Sequence, residues 1–378
     1  MKVILFANTD WYLYNFRLPL ARKLKETGFD VVFMSPPGKY QIKLEEAGFR
    51  WIAFSLSRKG INPIIEELAI WRLSRLYQQE KPDLVHHFTI KCVLYGSIAA
   101  RRAGIHSVVN AITGLGYIFT NQSISVRLIR WMIKEFYRHA LRGTQVIFQN
   151  PDDRNLFVEQ GLAKQQSTHL IKGSGIDISR FMPLPEPGGT PVVVLPARML
   201  WDKGVGDFVE AARILHKRNI QARFILVGAS DLQNPSGISL EQLGQWHEEG
   251  LVEWWGFQEN ITTVFAQSHI ICLPSYYREG LPRVLTEAAA SQRALVTTDT
   301  PGCREAVQNG ENGLLVPPHD PIALADALQT LIENPGLRCQ MAVLGREKVN
   351  AEFSEERINL ATIQIYRSLL SRSYNIQS

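Results

Sequence analysis

Short apolar runs rich in β-branched residues alternate with longer helical patterns along the whole chain. Several runs are apolar throughout, such as Val192-Val-Val-Leu-Pro196, and this is typical of strands buried on both faces of a sheet. Regular strand–helix alternation is in turn typical of parallel, doubly wound sheets. The sequence therefore predicts an α/β fold. The predicted strands are residues 2–7, 30–34, 51–54, 83–86, 107–111, 145–148, 191–196, 222–227, 252–254, 269–273, 294–297 and 313–316.

A stretch rich in proline and glycine, residues 173–190, interrupts this pattern, which starts again after it. We therefore expect one Rossmann-like domain over residues 1–172, a linker, and a second Rossmann-like domain over residues 191–354. The last helical pattern, within residues 355–378, is expected to pack back on the first domain. Ligands of open α/β sheets bind at the carboxyl ends of the strands, so two facing domains predict a site in the cleft between them.

The composition limits the classes of function. The chain has 378 residues with 45% hydrophobic and 20% charged residues, and no apolar run approaches the ~20 residues that span a bilayer. The apolar start of the chain is too short for a signal peptide, so we expect a cytoplasmic protein. Cysteine spacing and the lack of an Asp-x-Asp motif predict no metal or other cofactor. The net charge of +5 favours anionic partners, and no nucleic-acid-binding module is recognised.

Two carboxylates, Glu279 and Glu287, enclose a segment in which Gly280 and Pro282 follow a predicted strand and a helical pattern begins. The first turn of a helix offers free amides and the positive end of the helix dipole, which together suit a phosphate. Carboxylates cannot hold a phosphate, but they accept hydrogen bonds from sugar and ribose hydroxyls. The segment therefore predicts a nucleotide-sugar site.

Two cations, Arg198 and Lys203, follow the strand predicted at residues 191–196 and precede a helical pattern. A planar guanidinium and a mobile ammonium can together neutralise a diphosphate. The alternative is a pair of solvated surface cations. The position of both residues in a βα loop, in the same domain as the two carboxylates, favours diphosphate binding.

These motifs resemble those of family 4 retaining glycosyltransferases, which have the GT-B fold. The resemblance covers essentially the whole chain, and it extends to Pro301-Gly-Cys-Arg-Glu305 and Asn309-Gly-Glu-Asn-Gly313. It implies that the N-terminal domain binds the acceptor and the C-terminal domain binds the donor nucleotide. Segments 57–63 and 113–116 are similar to those of hexosaminyltransferases that act on polyprenyl-diphosphate-linked sugars.

The resemblance also implies roles for particular residues. Arg198 and Lys203 would bind the donor diphosphate, Glu279 the donor sugar, and Glu287 the ribose. Backbone amides of Gly280 and Leu281 would complete the phosphate site. The implied reaction is transfer of a hexose, such as GalNAc or GlcNAc, from a UDP-sugar with retention of configuration. A nucleotide-sugar epimerase of the same fold and a non-catalytic partner subunit that binds nucleotide-sugar remain alternatives.

The first domain departs from the family in two places. Its first βα loop, residues 8–15, lacks the glycines that many members have, and Thr113 stands where many have a histidine. His86 and His87, at the end of the fourth predicted strand, are candidates to supply the missing polar contact to the reacting sugar or the acceptor. The alternative for either histidine is a packed or capping imidazole.

Other acceptor candidates are Thr113 itself and Asp10, in the aromatic first loop. Arg58 with Lys59 would meet an acceptor diphosphate. The alternatives are an Asx turn or helix-entry residue for Asp10, and an exposed basic loop for the two cations. Gly175 is a candidate to line the donor site, with a simple turn as the alternative.

A basic stripe marks the helix predicted over residues 125–142. Its cations recur every three or four residues beside a broad apolar face, which suits an anionic membrane surface. They are Arg127, Arg130, Lys134, Arg138 and Arg142. An ordinary domain helix with a solvated edge is the alternative. A lipid-linked acceptor would require a peripheral location on the inner face of the plasma membrane.

Overall fold

The computed structural model describes residues 1–56, 62–114, 124–183, 185–232 and 234–377, without the side chains of 124–131 and 372–377. Contacts between residues divide the chain into two compact units. The first unit combines Met1–Gly175 with Glu355–Ser378, and the second is Ile176–Ser354. Each helix in the described part of the chain is too short or too polar to span a bilayer.

The first unit is built on a parallel sheet with the order β3-β2-β1-β4-β5-β6-β7. Its strands are β1 Lys2–Phe6, β2 Asp30–Ser35, β3 Arg50–Ala53, β4 Leu84–Phe88, β5 Val108–Ile112, β6 Gln145–Phe148 and β7 Thr168–Leu170. Its helices before the last are α1 Asp10–Phe16, α2 Leu18–Glu26, α3 Gln41–Glu46, α4 Pro63–Glu80, α5 Ile90–Arg102, α6 Ile124–Ala140 and α7 Pro151–Glu159.

The second unit has a parallel sheet with the order β10-β9-β8-β11-β12-β13. Its strands are β8 Val192–Pro196, β9 Arg223–Val227, β10 Glu253–Trp254, β11 Ile270–Leu273, β12 Ala294–Thr298 and β13 Leu314–Val316. Its helices are α8 Val205–Lys217, α9 Leu240–Glu248, α10 Ile261–Ala266, α11 Arg283–Ala290, α12 Pro301–Ala306, α13 Pro321–Glu333 and α14 Pro335–Lys348.

The α/β prediction is confirmed, and each of the twelve predicted strands is present within one or two residues of its expected bounds. In both units the central strands are buried along their whole length, as their uninterrupted apolar character predicts. β7 was not predicted. It is a three-residue edge strand with the sequence Thr-His-Leu, whose residues are half-buried or exposed, so it carries no apolar signal.

The last helix, α15 Glu355–Gln377, belongs to the first unit. Its Ile363, Tyr366 and Leu370 are buried in the apolar cluster that also contains Val3 and Leu5 of β1. The first unit is therefore completed by residues that follow the second unit in sequence.

Residues 176–190, most of the segment expected to be a linker, belong to the second unit. Arg338 of α14 binds both carboxylate oxygens of Glu186, at 2.8 and 2.7 Å. The guanidinium of the buried Arg293 donates to the carbonyl of Pro185 at 3.2 Å. Arginine side chains thus attach this proline-rich segment to the body of the unit.

Candidate functional site

Most of the predicted donor residues lie on the loops that follow β8 and β11, which are neighbours in the second sheet. Because parallel strands end at the same edge of a sheet, these loops form one surface. Arg198 and Lys203 lie on the β8–α8 loop, whereas Glu279 lies on the β11–α11 loop. The structure therefore brings together residues that are about 80 positions apart in sequence.

Close backbone packing fixes the first two loops against each other. The amides of Tyr276 and Tyr277 both donate to the carbonyl of Asp202, at 3.1 Å. Gly204 has a φ of +73°, and a Cβ at this position would lie 2.0 Å from the carbonyl oxygen of Pro274. Glycine is needed here both for the left-handed backbone and for the close approach.

The packed loops place Lys203 and Glu279 in direct contact. The Lys203 ammonium lies 2.6 Å from a Glu279 carboxylate oxygen, and the side chains are only 14% and 18% exposed. Ser275 donates to the same oxygen at 3.0 Å, and the ammonium lies 5.7 Å from the centre of the Tyr277 ring. A charge pair in such a partly buried position is held in one geometry, with each charge neutralised by the other.

The end of β12 and the start of α12 also pack against the Glu279 segment. A Cβ on Gly302 would lie 2.5 Å from the carbonyl oxygen of Gly280 and 2.7 Å from that of Glu279. The hydroxyl of Thr298 donates to the carbonyl of Ser275. The carboxylate is therefore mounted on backbone that neighbouring loops hold in place.

Helix α11 carries the second predicted carboxylate. Pro282 is its N-cap, and Glu287 is its fifth residue. The carboxylate accepts a hydrogen bond of 2.7 Å from Arg283, four residues earlier. Burial raises the pKa of Glu287, and Arg283 partly offsets that rise. Glu287 thus forms an ion pair that a ligand hydroxyl would have to share or displace.

Arg198 is the most accessible of the predicted donor residues. Its side chain is 60% exposed and pairs with Asp231 at 3.0 Å. Burial and the Glu279 carboxylate raise the pKa of Tyr277, whereas Arg198 lowers it, so the charges of Glu279 and Arg198 act on the same side chain. Asp231, Ser275 and Tyr277 were not predicted. The one available signal was that Ser275 and Tyr277 lie within four residues of the end of β11.

A second polar group that the sequence did not reveal lies at the same edge. Burial raises the pKa of Asp207 in α8, and one of its carboxylate oxygens is buried without a hydrogen-bond partner in the described part of the chain. Burial and the carboxylates of Asp207 and Asp202 raise the pKa of Tyr276 to about 12. The ring of His319 lies 3.9 Å from that of Tyr276. These residues surround the Tyr276 side of the β11–α11 loop.

The remaining donor candidates are glycine and leucine positions. Gly280 is buried, and Leu281 packs half-buried against the apolar core beneath the site. Gly175, with a φ of +83°, belongs to the first unit, where a Cβ would lie 2.6 Å from the Cα of Glu355. The requirement for glycine at position 175 therefore has a packing explanation within that unit.

Asp10, the acceptor candidate in the first loop, is buried at the start of α1. Its carboxylate accepts hydrogen bonds from the amides of Trp11, Tyr40 and Gln41, at 2.8, 2.7 and 3.1 Å. A Cβ on Gly38 would lie 2.4 Å from this carboxylate. Asp10 thus joins the start of α1 to that of α3, which favours the helix-entry alternative.

His87 is fully buried at the end of β4. Its Nδ1 donates to Asn110 at 2.9 Å, and its Nε2 accepts from the Tyr77 hydroxyl at 3.0 Å. Burial lowers the pKa of His87 to about 4, so the imidazole is neutral near pH 7. The neighbouring His86 is also buried and bonds to the Tyr366 hydroxyl. Both positions favour the packed alternative over contact with a substrate.

Thr113 lies directly after β5 and is half-buried, as expected for a residue at the carboxyl edge of the first sheet. Arg58 and Lys59 lie outside the described residues, as do the side chains of Arg127 and Arg130. In the described half of α6, Arg138 bonds to the carbonyls of Gly161 and Gln160 rather than standing free.

Two family models match the chain. The model described as "Glycosyl transferase 4-like" matches residues 2–150, and "Glycosyl transferases group 1" matches residues 190–334. The two matches fall on the first and second units, and together they cover most of the sequence.

Two relatives of this chain have names that describe sugar transferases. The N,N'-diacetylbacillosaminyl-diphospho-undecaprenol alpha-1,3-N-acetylgalactosaminyltransferase of Campylobacter jejuni is 29% identical over 356 residues, which cover 90% of this chain and 92% of the relative. The UDP-Gal:alpha-D-GlcNAc-diphosphoundecaprenol alpha-1,3-galactosyltransferase of Escherichia coli is 25% identical over 284 residues, 71% of each chain.

Solved structures share the fold. A glycosyltransferase from Rickettsia africae has a TM-score of 0.80 at 19% identity and covers 98% of both chains. HepE from Anabaena, in complex with UDP, has a TM-score of 0.78 at 19% identity and covers 97% of this chain and 100% of its own. With both halves matched by glycosyltransferase models, this chain belongs to the family 4-like glycosyltransferases of the GT-B fold.

Proposed function

We propose that this protein is a retaining hexosyltransferase that moves an N-acetylhexosamine, such as GalNAc or GlcNAc, from a UDP-sugar to a polyprenyl-diphosphate-linked saccharide. The product would enter a cell-surface polysaccharide or glycan. The names of two relatives, which act on diphosphoundecaprenol-linked sugars, support this substrate class. The observation that carries the proposal is the Lys203–Glu279 pair, held at the carboxyl edge of the second sheet.

The pair offers the two kinds of group that a nucleotide-sugar needs. A diphosphate that binds Lys203 replaces the negative charge of Glu279, and Arg198 on the same loop adds a second cation. The released carboxylate can then accept hydrogen bonds from sugar hydroxyls. Because the loops are already packed by Gly204 and Gly302, little reorganisation is needed as charge develops on the leaving diphosphate.

The proposed reaction occurs on one face of the sugar. The bond from the anomeric carbon to the diphosphate oxygen breaks, and the acceptor hydroxyl oxygen bonds to the same carbon. The acceptor proton passes to the departing phosphate oxygen, and UDP leaves. The alternative double displacement needs a carboxylate nucleophile. Glu287 is assigned to the ribose and paired with Arg283, and this makes the front-face route the better supported one.

The test is replacement of each half of the pair. Lys203→Ala and Glu279→Ala are each expected to lower UDP release by about 10²–10³-fold, the usual loss when a preorganised group at the reacting charge is removed. Arg223→Ala is the matched control, because it also removes one cation from an ion pair in the second unit, 2.8 Å from Glu253.

The assay uses UDP-GalNAc and UDP-GlcNAc with a polyprenyl-diphosphate-linked saccharide. Near-normal UDP release by both variants would contradict the proposal. Isomerised donor in reactions without acceptor would instead identify an epimerase. If the protein bound UDP but formed no UDP from the donor with any acceptor, it would be a non-catalytic partner subunit.

The lipid-linked acceptor also calls for a membrane-associated protein. We infer a peripheral location at the inner face of the plasma membrane, with the anionic surface as partner. The sequence assigned this contact to residues 127–142. In the described half of α6, Lys134 has no carboxylate partner among the described residues, and neither has Arg142, which lies two residues after the end of the helix. Tyr137 of the same helix is buried in the core.

A further inference from the structure

The outer face of α4 is apolar over its first half. The inner face of the helix buries Glu66, Ile70, Leu73, Ser74 and Tyr77. On the opposite side the exposed fractions are 80% for Ile64, 57% for Ile65, 44% for Leu68 and 50% for Trp71. These are four large side chains within eight residues that are left in water.

Helix geometry gathers these side chains in one stripe. Positions 64, 68, 71 and 75 recur every three or four residues and therefore face the same way, with Ile65 and Arg72 beside them. Surface helices of soluble proteins normally place charged residues on this side. A cluster of exposed apolar residues marks a surface that binds something.

The charges around the stripe are positive. The guanidinium of Arg75 lies 5.4 Å from the centre of the Trp71 ring. Neither Arg72 nor Arg75 has a carboxylate partner among the described residues. The acidic residues of the first turns are neutralised, because Glu67 pairs with Arg102 at 2.5 Å and the inward-facing Glu66 with Lys91 at 2.8 Å.

We propose that the outer face of α4, formed by Ile64, Ile65, Leu68, Trp71, Arg72 and Arg75, docks the protein on an anionic lipid bilayer. The aliphatic side chains enter the boundary between headgroups and acyl chains. Trp71 takes the interfacial position that tryptophan prefers, and the two arginines bind lipid phosphates. This rests on the proposed function, because a lipid-linked acceptor has to be reached at a membrane.

The charge pattern favours a membrane over a second copy of the chain. A copy docked on this face would bring arginines but no free carboxylate, since Glu67 is already paired. An anionic bilayer supplies both the apolar phase and the counter-charge. The described half of α6 is a poorer candidate, because its Ile133, Phe136 and Tyr137 pack into or against the core.

The experiment is co-sedimentation of the full chain with vesicles of phosphatidylglycerol and phosphatidylethanolamine, or of phosphatidylcholine alone. Wild-type protein is expected to bind the anionic vesicles. The variants Leu68→Glu with Trp71→Glu, and Arg72→Glu with Arg75→Glu, are each expected to weaken that binding by about tenfold or more. Ile322→Glu is the control, because it places the same charge at a 59% exposed apolar position in the second unit.

The variants alter exposed side chains, so their unfolding midpoints are expected to match wild type. Unchanged binding of both variants to anionic vesicles would overturn the proposal. So would a wild-type dimer that both variants dissociate, since the patch would then bind a second copy. A separate assay of UDP release with a short-chain, water-soluble acceptor distinguishes the two proposals. Loss of vesicle binding with retained release supports docking, and vesicle binding without release by wild type contradicts only the transferase function.

Discussion

The two units have similar parallel sheets but use the carboxyl ends of their strands differently. In the first unit, His87 near the end of β4 and Asn110 in the middle of β5 are fully buried and bonded to each other. In the second, Lys203 and Glu279, on the loops that follow β8 and β11, form a pair that retains some exposure. A polar group whose hydrogen bonds are all made inside the core stabilises the fold. A partly exposed charge pair on fixed loops can exchange its partner for a ligand.

A pair of substitutions, one in each unit, tests this difference most directly. Lys203→Ala is expected to reduce turnover by about 10²–10³-fold while leaving the free energy of unfolding nearly unchanged. His87→Ala is expected to lower that free energy by about 3 kcal/mol, because it leaves a cavity and unpaired groups on Asn110 and Tyr77. Urea titrations and rates of UDP release measure both quantities.

His106→Ala, at an exposed position, is the control for loss of a histidine in the first unit. If His87→Ala removed activity with stability intact, the first sheet would hold a functional histidine after all.

The fixed geometry of the loops is tested by Gly204→Ala. The new Cβ would meet the carbonyl of Pro274 in addition to the cost of a left-handed backbone, so a loss of about 2–3 kcal/mol is expected. Gly250 has the same φ of +73° with nothing within 4 Å, and Gly250→Ala should lose only about 1 kcal/mol. Equal losses in thermal or urea unfolding would show that the close packing at Gly204 contributes nothing.

The first unit should also govern stability at acidic pH. His87 has a pKa of about 4 in the folded chain, below the unfolded value of 6.5, so the unfolded chain binds the proton first as the pH falls. The contribution of neutral His87 to the free energy of unfolding is complete above pH 6.5 and is lost progressively toward pH 4. Between pH 7 and pH 5 the expected loss is about 2 kcal/mol. Buried His86 acts in the same direction.

Denaturant midpoints at several pH values measure this loss, and His87→Gln should flatten the slope. An unchanged slope in that variant would assign the acid sensitivity to other groups.

Substitution of Arg198 is expected to have the smallest effect of these changes, and the effect should be confined to UDP binding. Because its side chain is exposed and its partner Asp231 is accessible, Arg198→Ala is expected to weaken UDP binding by about tenfold without altering unfolding. Calorimetric titration with UDP measures the affinity. Arg218→Ala, which breaks a similar exposed pair with Asp326, should bind UDP like wild type.

The sequence was sufficient for what depends on local pattern. Continuous apolar runs marked the strands, and their alternation with helical patterns predicted parallel, doubly wound sheets. The two residues that it assigned to the donor and that the structure brings together, Lys203 and Glu279, lie on the loops after β8 and β11 and within recognisable motifs. It could not supply contacts made by packing, such as Asp231 opposite Arg198 or Tyr77 opposite His87, because those partners are distant in sequence and ordinary in composition.

The outer face of α4 shows the same limit in another form. Its apolar residues resemble those of any buried helix, so exposure distinguishes them only once the helix is packed through its other side. His87 is the reverse case, since a histidine at a strand end resembles a catalytic residue until both ring nitrogens are found to be bonded.

The return of α15 to the first unit has a consequence for synthesis on the ribosome. Residues 1–175 emerge first, but Tyr366, which covers His86, is translated only after the whole of the second unit. The second unit is continuous in sequence, so it can fold before synthesis of the chain is complete. Until α15 has been translated, the apolar surface of the first unit that this helix covers stays exposed. Fragments ending near residue 175 should therefore associate with chaperones or aggregate, and adding residues 355–378 as a separate peptide should restore their solubility.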